Sequence, residues 1–520
     1  VGVASAWVTL AAPKVARVRK GSRGVLVRPG EMRAAVSTAV AAALALIVVA
    51  GAAAPTMRAS LSQGGATYTQ DVIVPLILAK FGTFSLPDMS FSKDSIDASV
   101  SGLSCGSLAI PTHGLTIAAP SLTLDLAGVS CSCSGSWSYR ESHWPHIPHG
   151  SGSVSGGVSD SSVAIGVEPQ EAAGKPHVAA GACSANIKVS NLHFSGGLSG
   201  DLLNLFKGKI ADAISGKLNS VICSKVDDFI NTDVNAMLAT FPTQLPLPLP
   251  KPYDYFAMNF ALSDNPSFGA GFIGFDVTAG VENTQTHATD PVVPAPLPNF
   301  DAAFASHYAQ LYLDDSLFDS GTWAAYQANL LHWTLTNADV PSASPVKLTT
   351  QSLKMLAPGL WTKYPDMDMQ VLVNATKAPS VTSDPESANA TAPLEYVFQV
   401  VENATTTADA FTLGCPLVAA ASFRLGETAG TEVLYANLTF LECHLNLVST
   451  NVGPVSTGLL QILIDTLVPH FVLPDINKKL AGGLPLPTLA GLSLTDSEVF
   501  LGKGYVGVAS NFTFKPPTAV

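Results

Sequence analysis

The sequence predicts an α+β protein in which one plan is laid down twice. Three observations carry this. Long stretches alternate apolar and polar residues with a period of two. Each is flanked by segments whose apolar residues recur at three- and four-residue steps. The order helix, long β region, long helix occurs once in each half, which implies an internal duplication of roughly 230 residues. The composition agrees: 520 residues, 47% hydrophobic, only 13% charged, with 42 Gly and 36 Pro. Such a chain can bury large cores and is not of the disordered class.

The elements follow in order. Gly64–Phe81, GGATYTQDVIVPLILAKF, reads as a helix with apolar Val72, Ile73, Ile77 and Leu78 and a kink at Pro75. Residues 82–195 alternate in segments such as SLTLDLAG and SVSGGVSDSSVAIGV and read as strands of a long antiparallel sheet. Residues 199–238 form a long amphipathic helix, with Leu202, Leu203, Phe206, Ile210, Ile214, Leu218 and Ile222 on its apolar stripe. Two Pro-rich runs, FPTQLPLPLPKPYDY and DPVVPAPLPNF, bracket strands at 253–282. The second half then offers a helix at 314–331, strands from 333 to about 448, an apolar helix at 457–483 and closing strands at 491–514.

The first 52 residues differ from the rest. Residues 1–31 are basic, with Lys14, Arg17, Arg19, Lys20, Arg23 and Arg28 against Glu31, and stay unassigned, as an extension or a gene-model artefact. Residues 32–52 read as a signal peptide: Met32 and Arg33, a 12-residue apolar core from Ala39 to Ala50, and the small-residue site Ala50-Gly51-Ala52. Twelve residues are too short to span a bilayer. A secreted, extracellular protein is expected. Residues 1–52 hold seven of the 27 Lys+Arg and one of the 39 Asp+Glu, so the remainder carries 20 basic against 38 acidic residues, a balance of −18. That excludes nucleic acid as a partner held by phosphate neutralisation. A monomer is expected.

Secretion suits two further features. Asn374, Asn389, Asn403, Asn437 and Asn511 each begin an N-x-[ST] sequon. Seven cysteines imply bridges with one left over. Cys415 and Cys443 fall on neighbouring expected strands and are a candidate pair. Cys105 with either Cys131 or Cys133 is another, and the choice stays open. Gly102-Leu-Ser-Cys-Gly106 matches the G-x-S-x-G string of a hydrolase elbow, but strands flank it on both sides, whereas that elbow needs a strand-turn-helix. No Walker, Rossmann or HExxH pattern occurs, so the protein is not expected to be an enzyme, to need a cofactor or to bind a metal.

Several segments resemble a known family. They are CSANIKVSNLHFSGGLSGDLLNLFKGKIADAISGKLNSVIC, KMLAPGLWTKYPDMDMQVLVNATKAPSV and the run through LPDINKKLAGGLPLP to the closing strands. Together they resemble the lipid-transfer and lipopolysaccharide-binding family, which includes bactericidal/permeability-increasing protein and the phospholipid and cholesteryl ester transfer proteins. The likeness spans about residues 57–515. It implies a Cys183–Cys223 bridge. It also implies an elongated boomerang of two similar barrels, each a twisted antiparallel sheet closed by two helices, joined by a central antiparallel sheet. Residues 53–245 would be the N-terminal lipid-binding barrel, 246–298 the central strands and linker, and 299–520 the C-terminal barrel with closing central strands. Each barrel would hold acyl chains in an apolar pocket, so bound phospholipid is expected. Ile73, Ile77, Leu202, Leu203, Phe206, Ile210, Ile214, Leu459, Leu463 and Leu467 are the candidate lining residues. Each buried methylene is worth roughly 0.8 kcal/mol. The expected function is non-catalytic lipid binding or transfer, with binding of bacterial lipopolysaccharide through the N-terminal tip as the alternative.

One loop departs from the antibacterial members. Where the resemblance implies a lysine-rich hairpin, SYRESHWPHIPHG offers Arg140, His143, Trp144, His146 and His149. Residues 53–245 carry ten Lys+Arg against 14 Asp+Glu. Pro145 and Pro148 predict polyproline II, which would set the three histidines along one side about 9 Å apart. A transient contact with a membrane or lipid-particle surface is expected here, strengthening as histidines charge below about pH 6.5.

Overall fold

The computed structural model describes residues 54–515 except 147, 197–199, 250, 252, 288–289, 291–293, 341, 343–345, 429 and 490, with backbone alone at 80, 200–205 and 459. The basic extension and the expected signal peptide lie outside the described residues. Three antiparallel sheets and four principal helices organise the rest: α1 (Gln63–Phe81), α2 (Gly200–Asp228), α3 (Asp315–Gln327) and α4 (Thr457–Leu467).

The N-terminal sheet runs in the order Thr83–Ser85, Ile96–Ala109, Ser121–Glu141, His149–Ala172, Lys175–Asn186. Its strands are long and curl around one apolar cluster that also takes in α1 and α2. Ser121–Glu141 shows how a strand stays inward-facing for 21 residues. Leu124 and Leu126 are buried at even positions, then Val129, Cys131, Cys133 and Trp137 at odd ones. The parity changes where the pairing with His149–Ala172 slips, on either side of Val129, next to Gly128 at φ +68°. A bulge adds one residue and swaps the faces, and glycine accepts the left-handed backbone it needs.

The central sheet mixes both halves of the chain. Its order is Gln244–Pro246, Phe256–Leu262, Phe272–Asn283, Met57–Ser62, Ala309–Asp314, Tyr505–Phe514, Leu492–Gly502. Met57–Ser62 falls within the segment expected to form the N-terminal barrel, yet it pairs here, with Met57 opposite Val277 on one side and Leu313 on the other. The C-terminal sheet runs His332–Thr336, Met369–Ala375, Ser387–Asn403, Thr406–Thr428, Thr431–Cys443, Leu484–Pro485 around a second cluster with α4.

The helices begin and end on local signals. Ser62 caps α1, its hydroxyl accepting from the Gly65 N–H at 3.2 Å. Phe206, Ile210, Ile214 and Leu218 of α2 are all buried, one turn apart. Asp314 caps α3 through the Ser316 N–H at 2.9 Å. That helix was expected to reach residue 331 but stops at Gln327, because Asn329 turns left-handed at φ +55° and Leu330 N–H closes back on the Ala325 carbonyl. Leu317 and Ala324 of α3 pack in the central-sheet cluster. The helical run that starts at α4 continues through 480 and ends at Gly483, φ +73°.

Candidate functional site

The clearest site is a narrow cleft inside the N-terminal barrel, with about 70 Å³ of free space between its walls. Its floor is the inward face of the long strands: Leu126, Val129 and Cys131 from Ser121–Glu141, and Val158, Val163 and Ile165 from His149–Ala172. Its roof is Ile77 and Phe81 of α1 with Leu218, Val221, Ile222 and Val226 of α2. Lys225 is the one charged side chain in the lining. A second crevice of about 10 Å³ lies beside it, touching Cys133, Val154, Leu192 and Ile214. The cleft lining is of the apolar kind that takes a hydrophobic ligand. The titratable residues in its walls are Lys225 and the buried Cys131.

The sequence-derived candidates divide. Ile77 lines the main cleft and Ile214 the smaller space. Phe206 and Ile210 are buried in the N-terminal cluster and Ile73 packs against it, but none of the three lines the cleft. Leu202, Leu203 and Leu459 lie on helices α2 and α4, with side chains outside the described residues. Leu463 and Leu467 are fully buried with Val371, Phe398 and Phe411 in the C-terminal cluster. The candidate lining set stopped at Ile214, although the apolar stripe ran on through Leu218 and Ile222 of the roof, and it missed the strand floor altogether. The signal for the floor was the parity of the strands, which the bulge at Gly128 reverses.

Bridges tie the barrel walls. Cys183 is joined to Cys223, which fixes α2 to the Lys175–Asn186 strand. Cys415 is joined to Cys443 across the C-terminal sheet. Cys105 is joined to Cys133, its directly opposite neighbour in the strand pairing. Cys131 remains a buried thiol 4.0 Å from the Cys133 sulfur, and burial pushes its pKa up. The G-x-S-x-G string lies wholly within the Ile96–Ala109 strand, with its cysteine in a bridge. That is not a nucleophile turn.

The histidine loop is a tight reversal and does not run as polyproline II. His146 sits at φ +60°, its N–H donating to the His143 carbonyl at 2.7 Å, and Glu141 N–H bonds the Pro148 carbonyl at 3.0 Å. Strands Ser121–Glu141 and His149–Ala172 pair up to Arg140 and His149, so the eight residues between them must reverse the chain. His146 Nδ1 lies 2.8 Å from the Glu141 carbonyl, and His143 lies 3.3 Å from the Glu141 carboxylate. Trp144 projects, 87% exposed. Arg140, His143, His146 and His149 are exposed around it.

Among the sequons, Asn403 and Asn437 are exposed, Asn374 and Asn389 half-buried. Asn511 is half-buried, and its side-chain Oδ1 accepts the Tyr308 N–H at 3.1 Å. Among the described residues no helix is long and apolar enough to cross a membrane.

Comparison with known proteins then decides the family. The model of the LBP / BPI / CETP N-terminal domain matches residues 72–236, and that of the C-terminal domain matches residues 258–514. The chain belongs to the LBP / BPI / CETP family. It is 25% identical over 395 residues to a lipopolysaccharide-binding protein of Rattus norvegicus, covering 76% of this chain and 79% of the relative. It is 25% identical over 488 residues to a bactericidal permeability-increasing protein of Sebastes schlegelii, covering 91% of this chain and 98% of the relative. A putative BPI/LBP family protein of Arabidopsis thaliana is 21% identical over 471 residues. The crystal structure of lipopolysaccharide binding protein superposes with a TM-score of 0.59 at 19% identity, over 89% of this chain and 100% of that one. At that identity the likeness shows the fold: two curled antiparallel barrels with few helices, in the α+β class.

Proposed function

We propose that this LBP / BPI / CETP family member is a secreted, non-catalytic lipid-binding protein that carries phospholipid-like acyl chains in the N-terminal cleft. The observation that supports it is the cleft itself, walled by aliphatic and phenylalanine side chains of two helices and the strand floor. An apolar chain leaving water for such walls is stabilised by roughly 0.8 kcal/mol per methylene. Three bridges and five sequons suit an oxidising, secretory route. Lipid extraction and native mass spectrometry of protein secreted from cultured cells test the reading. Phospholipid bound at defined stoichiometry supports it. Protein that stays empty after incubation with liposomes contradicts it.

The hairpin tip is proposed as the contact with the lipid surface. Trp144 has an apolar body and one N–H donor, the pairing that suits a membrane interface. Lipopolysaccharide binding through the same tip is the second reading, favoured by the names of the relatives. Charge opposes it: Arg140 and Lys93 stand against Asp94, Asp97 and Glu141 around the tip strands. Pull-down on immobilised lipopolysaccharide is expected to be weak and to fall further as salt rises.

A further inference from the structure

We propose that the N-terminal cleft is gated by the last turns of its roof helix, with Asn235 as the latch that holds the gate shut. This rests on the reading of the cleft as a lipid site. The bridge from Cys223 to Cys183 fixes α2 to the Lys175–Asn186 strand. Beyond it the helix runs through Val226 in the cleft wall to a π-helical turn at Phe229–Val234. There Phe229 meets Phe81 of α1 edge-on, ring centroids 5.8 Å apart, and Phe81 is itself part of the lining. This contact joins the two roof helices where both come to an end. Directly after the turn, the Asn235 amide holds one residue of the strand twice. Its Oδ1 accepts the Val178 N–H at 2.9 Å, and its Nδ2 donates to the Val178 carbonyl at 2.9 Å.

The same device stands in the C-terminal half. The run from α4 passes through a π-helical turn at Val468–Val472, and Asn477 then clips Leu438. Its Oδ1 accepts the Leu438 N–H at 2.8 Å and its Nδ2 donates to the Leu438 carbonyl at 2.9 Å. What lies beneath the two clips differs. Beneath the first is the cleft. Beneath the second, Val468 and Val472 are fully buried in one cluster with Leu463 and Leu467. One clip guards a space and the other seals a filled core. Val178 lies on the last strand of its sheet, so water can take over both of its backbone groups when the clip lets go. The other tie at this end, from Lys175 Nζ to the Ala239 carbonyl at 2.8 Å, is exposed already. The segment after Cys223 is therefore held by a covalent bond at one end and by replaceable hydrogen bonds at the other. Between them lies a π-helical turn, a place where helices bend. Lifting the segment parts Phe229 from Phe81 and opens the wall at Val226. Empty and lipid-filled protein share the latch. Weakening it raises the open population of each by the same factor, which speeds entry and release alike.

The test follows a pyrene-labelled phosphatidylcholine on the full chain, measuring uptake from donor vesicles and release to unlabelled acceptor vesicles. Asn235→Ala is expected to speed both about tenfold, the scale of one to two lost hydrogen bonds, with bound lipid at equilibrium unchanged. Asn235→Asp keeps the acceptor for the Val178 N–H and loses the donor, so its acceleration should be intermediate. Asn477→Ala removes the same two bonds over the filled core and should leave both rates at the wild-type value. Phe229→Leu keeps an apolar side chain without the ring contact and should speed both rates. It carries the test if Asn235→Ala is not secreted. Unchanged rates in whichever of these two variants folds, or an equal acceleration by Asn477→Ala, overturn the gate while leaving the cleft a lipid site. Absence of any bound lipid in all forms would instead overturn the lipid-carrier reading itself.

Discussion

Cys131 shows how much one residue's role depends on register. Sequence leaves Cys131 and Cys133 as equal candidates to pair with Cys105. The strand pairing sets Cys133 directly opposite Cys105, so Cys131 is left facing the cleft. A buried thiol with a raised pKa is a poor nucleophile, since the thiolate is the reactive form. Alkylation by N-ethylmaleimide at pH 7.5 should be many-fold slower in the native protein than in urea, because burial both hides the sulfur and disfavours the thiolate. Equal rates would mean that the cleft is open to water at its floor. Asp319 gives a second test at this scale. Burial raises its pKa to about 6, although its carboxylate accepts the Val381 N–H at 2.6 Å. An acid whose folded pKa lies above its unfolded value binds more protons when folded. Its stabilising contribution is therefore present below about pH 4 and is lost as pH rises through 6. Asp319→Asn should raise the melting temperature by about 1–3 °C at pH 7.5 and leave it unchanged near pH 4. A drop at pH 7.5 would show that the carboxylate is needed in its charged form.

At the scale of elements, the helices were legible and the strand faces were not. The four-residue steps of Phe206, Ile210, Ile214 and Leu218 name the buried side of α2 because nothing interrupts the helix period across them. The strand period is interrupted, since the bulge beside Gly128 swaps faces midway, and no local residue pattern announces how far the parity shift carries. The histidine loop was misjudged for a related reason. Proline spacing favours an extended run, but the two long paired strands demand a reversal, and the tertiary demand wins. The Cys183–Cys223 bridge belongs to this scale too. It closes 40 residues of sequence and ties α2 to the sheet. In the loop-entropy account, Cys183→Ser with Cys223→Ser should cost roughly 3–4 kcal/mol in urea unfolding. A loss below about 1 kcal/mol would show that packing of Leu218 and its neighbours holds the helix without it.

At the scale of the whole molecule, the duplicated plan was legible from element order, and the sharing of strands between halves was not. Met57–Ser62 reads as part of the N-terminal unit, yet it lies between a strand of the linker region and one of the C-terminal half. Only long-range pairing decides that, and pairing over more than 200 residues leaves no local trace. The same holds for α3, whose buried face turns to the central sheet. The two halves thus repeat an order of elements while dividing the work differently. The described cleft lies in the N-terminal barrel, whereas Leu463 and Leu467 fill the C-terminal cluster.

The central claim, that the N-terminal cleft carries lipid, is tested most directly by blocking it. Val163 and Ile165 stand on the floor beneath Leu218 and Ile222. Native mass spectrometry of the secreted protein should show bound phospholipid in the wild type. Replacing Val163 and Ile165 with tryptophan should remove most of it, with disulfides and secretion intact. Undiminished lipid in the folded double variant, or a wild-type protein without lipid, would contradict the account.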